Sequence, residues 1–201
     1  MGLACALSQL AGVIKWSLVP VQIGRKESDF SNPLGLLSDC HRRIEQFLQV
    51  LIQVAGRAAG AALDTGQREA FEKALVYFRN SAPKHTADEE DSLFPRLRES
   101  GNAEAALQCM AELEEDHQVV ARDHERVDAV GRQWLETGTI SSNDLRQLRE
   151  ALVRLSETYR RHIAVEDREL FPLAARVLPP DQLAEVGREM AGRRAVSQTR
   201  I

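Results

Sequence analysis

Cysteine is scarce and scattered. Cys5, Cys40 and Cys109 share no C-x-x-C spacing, which argues against a disulfide framework or a zinc–thiolate site and suits a reducing, cytoplasmic setting. No segment alternates apolar and polar residues with period two, so no strand is expected. No basic excess exists either: 26 Lys and Arg against 30 Asp and Glu leave a net charge of -4, which excludes a nucleic-acid binder that tracks phosphates. Arg188, Arg193, Arg194 and Arg200 make only the last stretch locally basic, and they read as a solvated tail. Long hydrophobic runs are missing as well. The fairly apolar stretch from Leu3 to Ile23 contains Lys15 and Pro20, lacks a basic leader, and falls short of the roughly 18 apolar residues of a spanning helix. Leu3-Ala4-Cys5 lies too close to Met1 to follow a signal peptide, and Ala6 stands where myristoylation at Gly2 wants Ser or Thr. A membrane role is therefore not expected. Residues 1–30 read as an N-terminal extension, either poorly ordered or packed on the protein surface, or as an artefact of the assigned start.

What is present favours helix. Hydrophobic residues at 43% suffice for a core, and aromatics at only 5% leave a composition rich in Ala, Leu, Arg, Glu and Gln. Ser31-Asn32-Pro33 signals a helix start, after which Leu34, Leu37, His41, Ile44, Leu48, Leu51 and Ala55 recur at steps of three and four. Asp64-Thr65-Gly66 separates a second helix with Phe71, Leu75, Phe78, Ala82, His85 and Glu89 on its stripe, which Pro83 should kink. A third helix over about 103–137 carries Met110, Leu113, His117, Val120, His124, Val127 and Trp134. The fourth follows the cap at Ser141-Ser142 and carries Leu145, Leu148, Leu152, Leu155, Tyr159, His162, Glu166 and Leu170. These periodicities describe an all-α, up-down-up-down four-helix bundle over residues 31–178. Pro179-Pro180 then stops the chain, and residues 179–201 read as a short helix outside the core and a tail.

Two stretches superimpose without a gap. His85-Thr-Ala-Asp-Glu89-Glu-Asp-Ser-Leu-Phe-Pro95 and His162-Ile-Ala-Val-Glu166-Asp-Arg-Glu-Leu-Phe-Pro172 share H-x-A-x-E-x-x-x-L-F-P, 77 residues apart. His41 and His117 repeat with a separation of 76 residues. The chain thus reads as two repeated helical hairpins, each offering one lone histidine and one H-x-x-x-E. Residues four apart share a helix face, so both members of each H-x-x-x-E can point inward. Imidazole with carboxylate suits iron, manganese or zinc, whereas the lack of thiolate disfavours copper(I) and iron–sulfur clusters. Two bridging carboxylates with two nitrogens per metal describe a dinuclear site. At about six ligands per metal, some positions stay open for a small molecule once an oxide or hydroxide bridge is counted.

A core histidine is the commoner explanation for any one of these positions. All five histidines fall on inward stripes, however, and a stripe takes about three positions in seven, so coincidence is on the order of 1%. Buried glutamates also need a cation. Glu114-x-x-His117 suggests a ferritin-like site, but the fourth helix has no second E-x-x-H. His124 lies seven residues beyond His117, about 10 Å along the axis, too far for the same metal. It reads as a residue flanking the centre or its access route, and Tyr159 as a hydrogen-bond donor near the centre or a core residue. Cys40, about 100° round the helix from His41, reads as off the metal, and the acidic run Asp88 to Asp91 as a solvated face around Glu89.

These residues resemble the hemerythrin-like (HHE cation-binding) domains. The resemblance covers roughly residues 31–178 and rests on His41, His85-x-x-x-Glu89, His117 and His162-x-x-x-Glu166, supported by the Leu-Phe-Pro endings. It implies that the four histidines are terminal iron ligands and the two glutamates bridge two iron ions, with an oxo or hydroxo bridge, ahead of manganese or zinc. Classical oxygen carriers of the family have H-x-x-x-H on the third helix and H-x-x-x-x-D on the fourth, and this chain departs from both. It is more similar to bacterial di-iron proteins of iron–sulfur repair and nitric oxide stress, although 1–30 offers no room for their cysteine-bearing domain. The implied function is a non-haem di-iron protein that binds or processes dioxygen, nitric oxide or peroxide. The alternative is an iron- or oxygen-sensing or iron-donating protein that acts through a protein partner. No catalytic residue is assigned, and turnover, which would make it a di-iron oxidoreductase, stays open.

Overall fold

A computed structural model describes residues 27–58, 60, 62–101 and 104–195, with side chains omitted at 104–107; the extension expected over 1–30 lies outside it up to residue 26. Helix α1 spans Pro33–Arg57, α2 Thr65–Asn80, α3 Ala82–Asp88 and α4 Phe94–Glu99. Helix α5 spans Glu104–Thr137, α6 Ser142–Val165, α7 Phe171–Val177 and α8 Pro180–Ala195. Among the described residues there is no strand, and no helix is long and apolar enough to cross a membrane. The long helices pack around the bundle as α1–α2–α5–α6–α1, and short connections make neighbours antiparallel. The all-α, up-down-up-down bundle read from the periodicities is the observed fold.

Local chemistry sets the helix ends. The Asn32 side chain accepts from the Gly35 N–H ahead of α1, with Pro33 in the first turn. Asp64 and Gln67 form a reciprocal capping box on α2, and Ser141 accepts from the Asp144 N–H on α6. The C-terminal carbonyls of α1 find a side-chain partner instead: Arg149 donates to the carbonyls of Ala55, Gly56 and Ala58. Pro83 interrupts the second long helix between α2 and α3, where its missing donor and its ring prevent regular continuation.

Both Leu-Phe-Pro endings follow a π-turn. Residues Glu89–Leu93 and Glu166–Leu170 are π-helical, closed by Phe94 N–H to the Glu89 carbonyl and Phe171 N–H to the Glu166 carbonyl. Pro95 and Pro172 lack the N–H for an ordinary helical bond and crowd the carbonyl one turn back; the wider turn relieves both problems. The sequence reading treats each H-x-x-x-E as plain helix; the proline two residues beyond each Leu is the signal for the bulge.

The core divides into two apolar clusters. One is built on Ile44, Leu51, Phe71, Trp134, Leu148 and Leu152, and the other on Leu37, Leu93, Phe94, Met110, Leu170 and Phe171. Helix α8 departs from the sequence reading, which puts it outside the core. Val186 and Met190 are fully buried in the second cluster, and burial of such side chains is worth about 1.5–3 kcal/mol each. Gly187 permits the close fit, since a Cβ there would lie 2.0 Å from the Phe30 carbonyl oxygen.

Candidate metal centre

Between the two clusters lies a polar layer. His41 on α1 is flanked by Leu37 and Ile44, one from each cluster, and His117 on α5 by Leu113 and Val120. His85 sits on α3 and His162 near the end of α6, while Glu89 and Glu166 open the two π-turns. Both glutamates are 0% exposed and all four histidines are buried. Their donor atoms form two sets: His41, His85, Glu89 and Glu166, and then Glu89, His117, His162 and Glu166. Within each set the atoms lie within 4.8 Å of one another. The two glutamates belong to both sets, so a carboxylate pair lies between two histidine pairs.

Contacts in this layer are close but poorly aligned. His41 Nε2 lies 3.1 Å from Glu166 Oε2, His85 Nε2 3.2 Å from Glu89 Oε1, and His162 Nε2 3.1 Å from Glu166 Oε2. Even so, all four glutamate oxygens and the Nε2 atoms of His41 and His117 are buried without an aligned hydrogen bond. Orphaned polar atoms in such number are costly in a dry core, and a cation among them removes that cost. The residues therefore fit a metal.

The outer contacts cross between hairpins. Asp167, next to Glu166, accepts from His41 Nδ1 at 3.1 Å, while Glu90, next to Glu89, accepts from His117 Nδ1 at 2.7 Å. The rings cross in the same way: Phe171 stacks on His41 with centroids 5.4 Å apart, and Phe94 on His117 at 6.4 Å. Each H-x-x-x-E-acid-x-x-L-F-P copy thus orients the lone histidine of the other hairpin, fixing tautomer and ring plane as carboxylates do behind metal-bound imidazoles. The symmetry fails at one point. His162 Nδ1 lies 3.6 Å from the Asp116 carboxylate, although neither it nor His85 Nδ1 has a hydrogen-bond partner, and the residue that corresponds to Asp116 in the first hairpin is Cys40.

Charge follows geometry. Burial pushes the Glu89 carboxyl up, but His85, His117 and His41 around it outweigh this and hold it well below the usual carboxylate range. Glu166 is pushed up by burial and by Glu89, yet His162 and His41 bring it net below its ordinary value. Burial lowers His117, while Glu89, Glu166 and Glu90 raise it to about 9. His41 is likewise lowered by burial and carried well above its ordinary value by Asp167, Glu166 and Glu89. Burial dominates at His85, leaving it at about 4. In the metal-free chain, protons on His41 and His117 therefore balance the two carboxylates.

Two sequence readings need correction here. The acidic run Asp88 to Asp91 is not simply a solvated face: Asp88 is 0% exposed, and Glu90 holds His117. Nor is the basic stretch simply a solvated tail. Arg193 and Arg194 reach back from α8 to the Asp88 carboxylate at 3.0 and 2.7 Å, and Arg193 also donates to the Ser92 hydroxyl. Arg200 lies outside the described residues. The six side chains named from the repeat come together, whereas His124 belongs to neither donor set and pairs instead with the Tyr159 hydroxyl at 3.0 Å. Cys40 is buried against Arg43, also outside both sets.

The chain matches the model of the hemerythrin HHE cation-binding domain over residues 32–174, well over half its length. It belongs to that family. Membership makes it a metal-binding protein and agrees with the buried histidine–glutamate layer. It is also similar to a Haemophilus influenzae protein described only as uncharacterized, 28% identical over 169 residues that span 84% of this chain and 94% of that protein. As an HHE domain it places H-x-x-x-E on the second and fourth long helices and a lone histidine on the first and third.

Proposed function

We propose that this HHE domain holds two iron ions, one between His41 and His85 and the other between His117 and His162, with Glu89 and Glu166 bridging, and that the centre binds or processes a small oxidant. The observation that carries this reading is the sharing of both glutamates by two adjacent donor sets in a layer full of orphaned polar atoms. Iron bound there supplies open coordination positions and a change of oxidation state. The chain's own residues supply the rest. Asp167 and Glu90 orient the two lone imidazoles, Phe171 and Phe94 cover their faces, and apolar side chains above and below keep water out. Dioxygen, nitric oxide or peroxide fits such a centre, in a cytoplasmic setting. The test is to mix the reduced, iron-loaded protein anaerobically with each of the three and follow its optical spectrum. A change that scales with the oxidant and with iron content is expected from at least one; identical spectra with all three would contradict the oxidant reading.

Metal and protons compete for the same nitrogens. The proton on His117 stabilises the folded metal-free chain fully below pH 6.5, and this stabilisation is lost as the pH rises through about 9. A metal must displace that proton and the one on His41. The rise in Tm produced by a redox-inert probe such as zinc is therefore expected to grow from about pH 6 to 8.5. A zinc-induced rise that shrinks over this interval would contradict the assigned nitrogens.

A further inference from the structure

Beside the centre, between α2, α3, α5 and α6, lies a cavity of about 330 Å³. Its walls are mostly apolar, including Leu75, Phe78, Ala82, Val120 and Val127. One end reaches the His117 imidazole and the His124–Tyr159 pair, while Arg79, Asp128 and Glu125 line the cavity on the surface side. Two of the three charges at this rim engage each other, since Arg79 contacts Asp128 at 2.5 Å across α2 and α5. The volume is about twice that of an apolar cavity that holds benzene, and at the lower end of the roughly 300–1,000 Å³ of small-molecule sites. A diatomic oxidant needs far less room.

His124, a residue of the inner wall, carries one unused polar atom. His124 stacks on Phe78 with centroids 4.2 Å apart, and its Nε2 lies 3.0 Å from the Tyr159 hydroxyl. A phenol is the better donor and a neutral imidazole the better acceptor, so the Tyr159 O–H donates to Nε2 and the ring proton resides on Nδ1. That Nδ1 is buried and has no hydrogen-bond partner. A buried donor left unpaired costs about 1–3 kcal/mol, and an acceptor atom placed in the cavity removes the cost. A charged guest is disfavoured, because the apolar walls offer it no counter-ion.

The geometry points to a binding site for an uncharged, mostly apolar organic molecule with one acceptor oxygen directed at His124 Nδ1. Such a guest would lie against His117 and so next to the centre; that adjacency rests on the metal reading above, whereas the binding itself does not. The probe is cumyl alcohol, with cumene as the same shape without the oxygen and benzoate as a charged control. Binding to the full chain, freed of metal, is followed by ligand-observed NMR and calorimetry. Cumyl alcohol is expected to bind saturably and about 5-fold more tightly than cumene, the worth of one hydrogen bond, with benzoate undetectable. His124→Leu should reduce the alcohol to the affinity of cumene and leave cumene unchanged. Ala121→Trp, an exposed position on the cavity lining, should weaken both ligands at least several-fold without unfolding the chain. No saturable binding of the alcohol, equal binding of alcohol and cumene, or binding unaffected by Ala121→Trp would overturn the proposal. Probe binding to a chain that never takes up iron would uphold this site while the metal reading fell. Iron uptake without probe binding would do the reverse.

Discussion

Replacing His85 and His162 together by alanine is expected to take the protein from about two bound irons per chain to well below one, with its helical content retained. Each substitution removes one of only two nitrogens available to a metal. Loss of a mere outer contact to a metal-bound histidine weakens binding about 10- to 100-fold, so loss of the histidine itself should cost on the order of 100-fold or more at each metal. The fold has reason to survive. Both imidazoles point into a layer whose glutamate oxygens already lack aligned partners, and the apolar clusters on either side are untouched. Metal analysis and far-ultraviolet circular dichroism on the same sample check both halves of the expectation. Full iron occupancy in the double variant would sink the assigned ligands.

The second large effect is expected at a residue outside both donor sets. Asp88 is wholly buried, holds Arg193 and Arg194 of α8, and directly precedes Glu89. Burial raises its carboxyl above the ordinary range in spite of both guanidinium groups, so the ionised pair is not itself a large source of stability. Removing one partner is a different matter. Asp88→Ala takes its buried carboxylate from Arg194 and leaves Arg193 only the exposed Asp91 at 3.9 Å, and breaking a buried pair costs roughly 3–5 kcal/mol. The two arginines are 22% and 28% exposed, so water recovers part of that and the expected loss is about 2–3 kcal/mol. For a chain of this size the loss corresponds to a fall in Tm of roughly 5–10 °C. Because α8 is tied through Asp88 and Ser92 to the π-turn that carries Glu89, weaker metal retention should accompany it. An unchanged Tm in the metal-free variant would show that α8 docks through Val186, Met190 and the Arg96–Glu189 pair rather than through Asp88.

Most of the site was legible because its chemistry is local. H-x-x-x-E is one helical turn, and the 77-residue repeat aligns both copies without a gap, so four of the six candidate residues announce themselves in pairs. His41 and His117 followed from the stripe and from their own 76-residue spacing. What the sequence reading missed depends on contacts between distant segments. Asp167 on His41 and Glu90 on His117 span 126 and 27 residues, although an acid after each glutamate in both copies was a signal available to be used. Asp88 was harder to find. Its position in the other copy is Val165, and its partners lie more than 100 residues away on a helix whose basic residues looked solvated. The π-turns were hidden because no side-chain pattern marks a widened turn; only the prolines that make an ordinary one unfavourable do so.

The central claim is a dinuclear iron centre, and metal content tests it most directly. The full chain is purified under low oxygen, iron, manganese and zinc are counted per chain, and the spectrum is recorded before and after exposure to air. About two irons per chain, with near-ultraviolet absorption that appears on exposure to air, is the predicted result. A folded helical chain reconstituted with excess iron(II) that retains less than about half an equivalent of any metal would contradict it, and the buried histidines and glutamates would then be core residues alone.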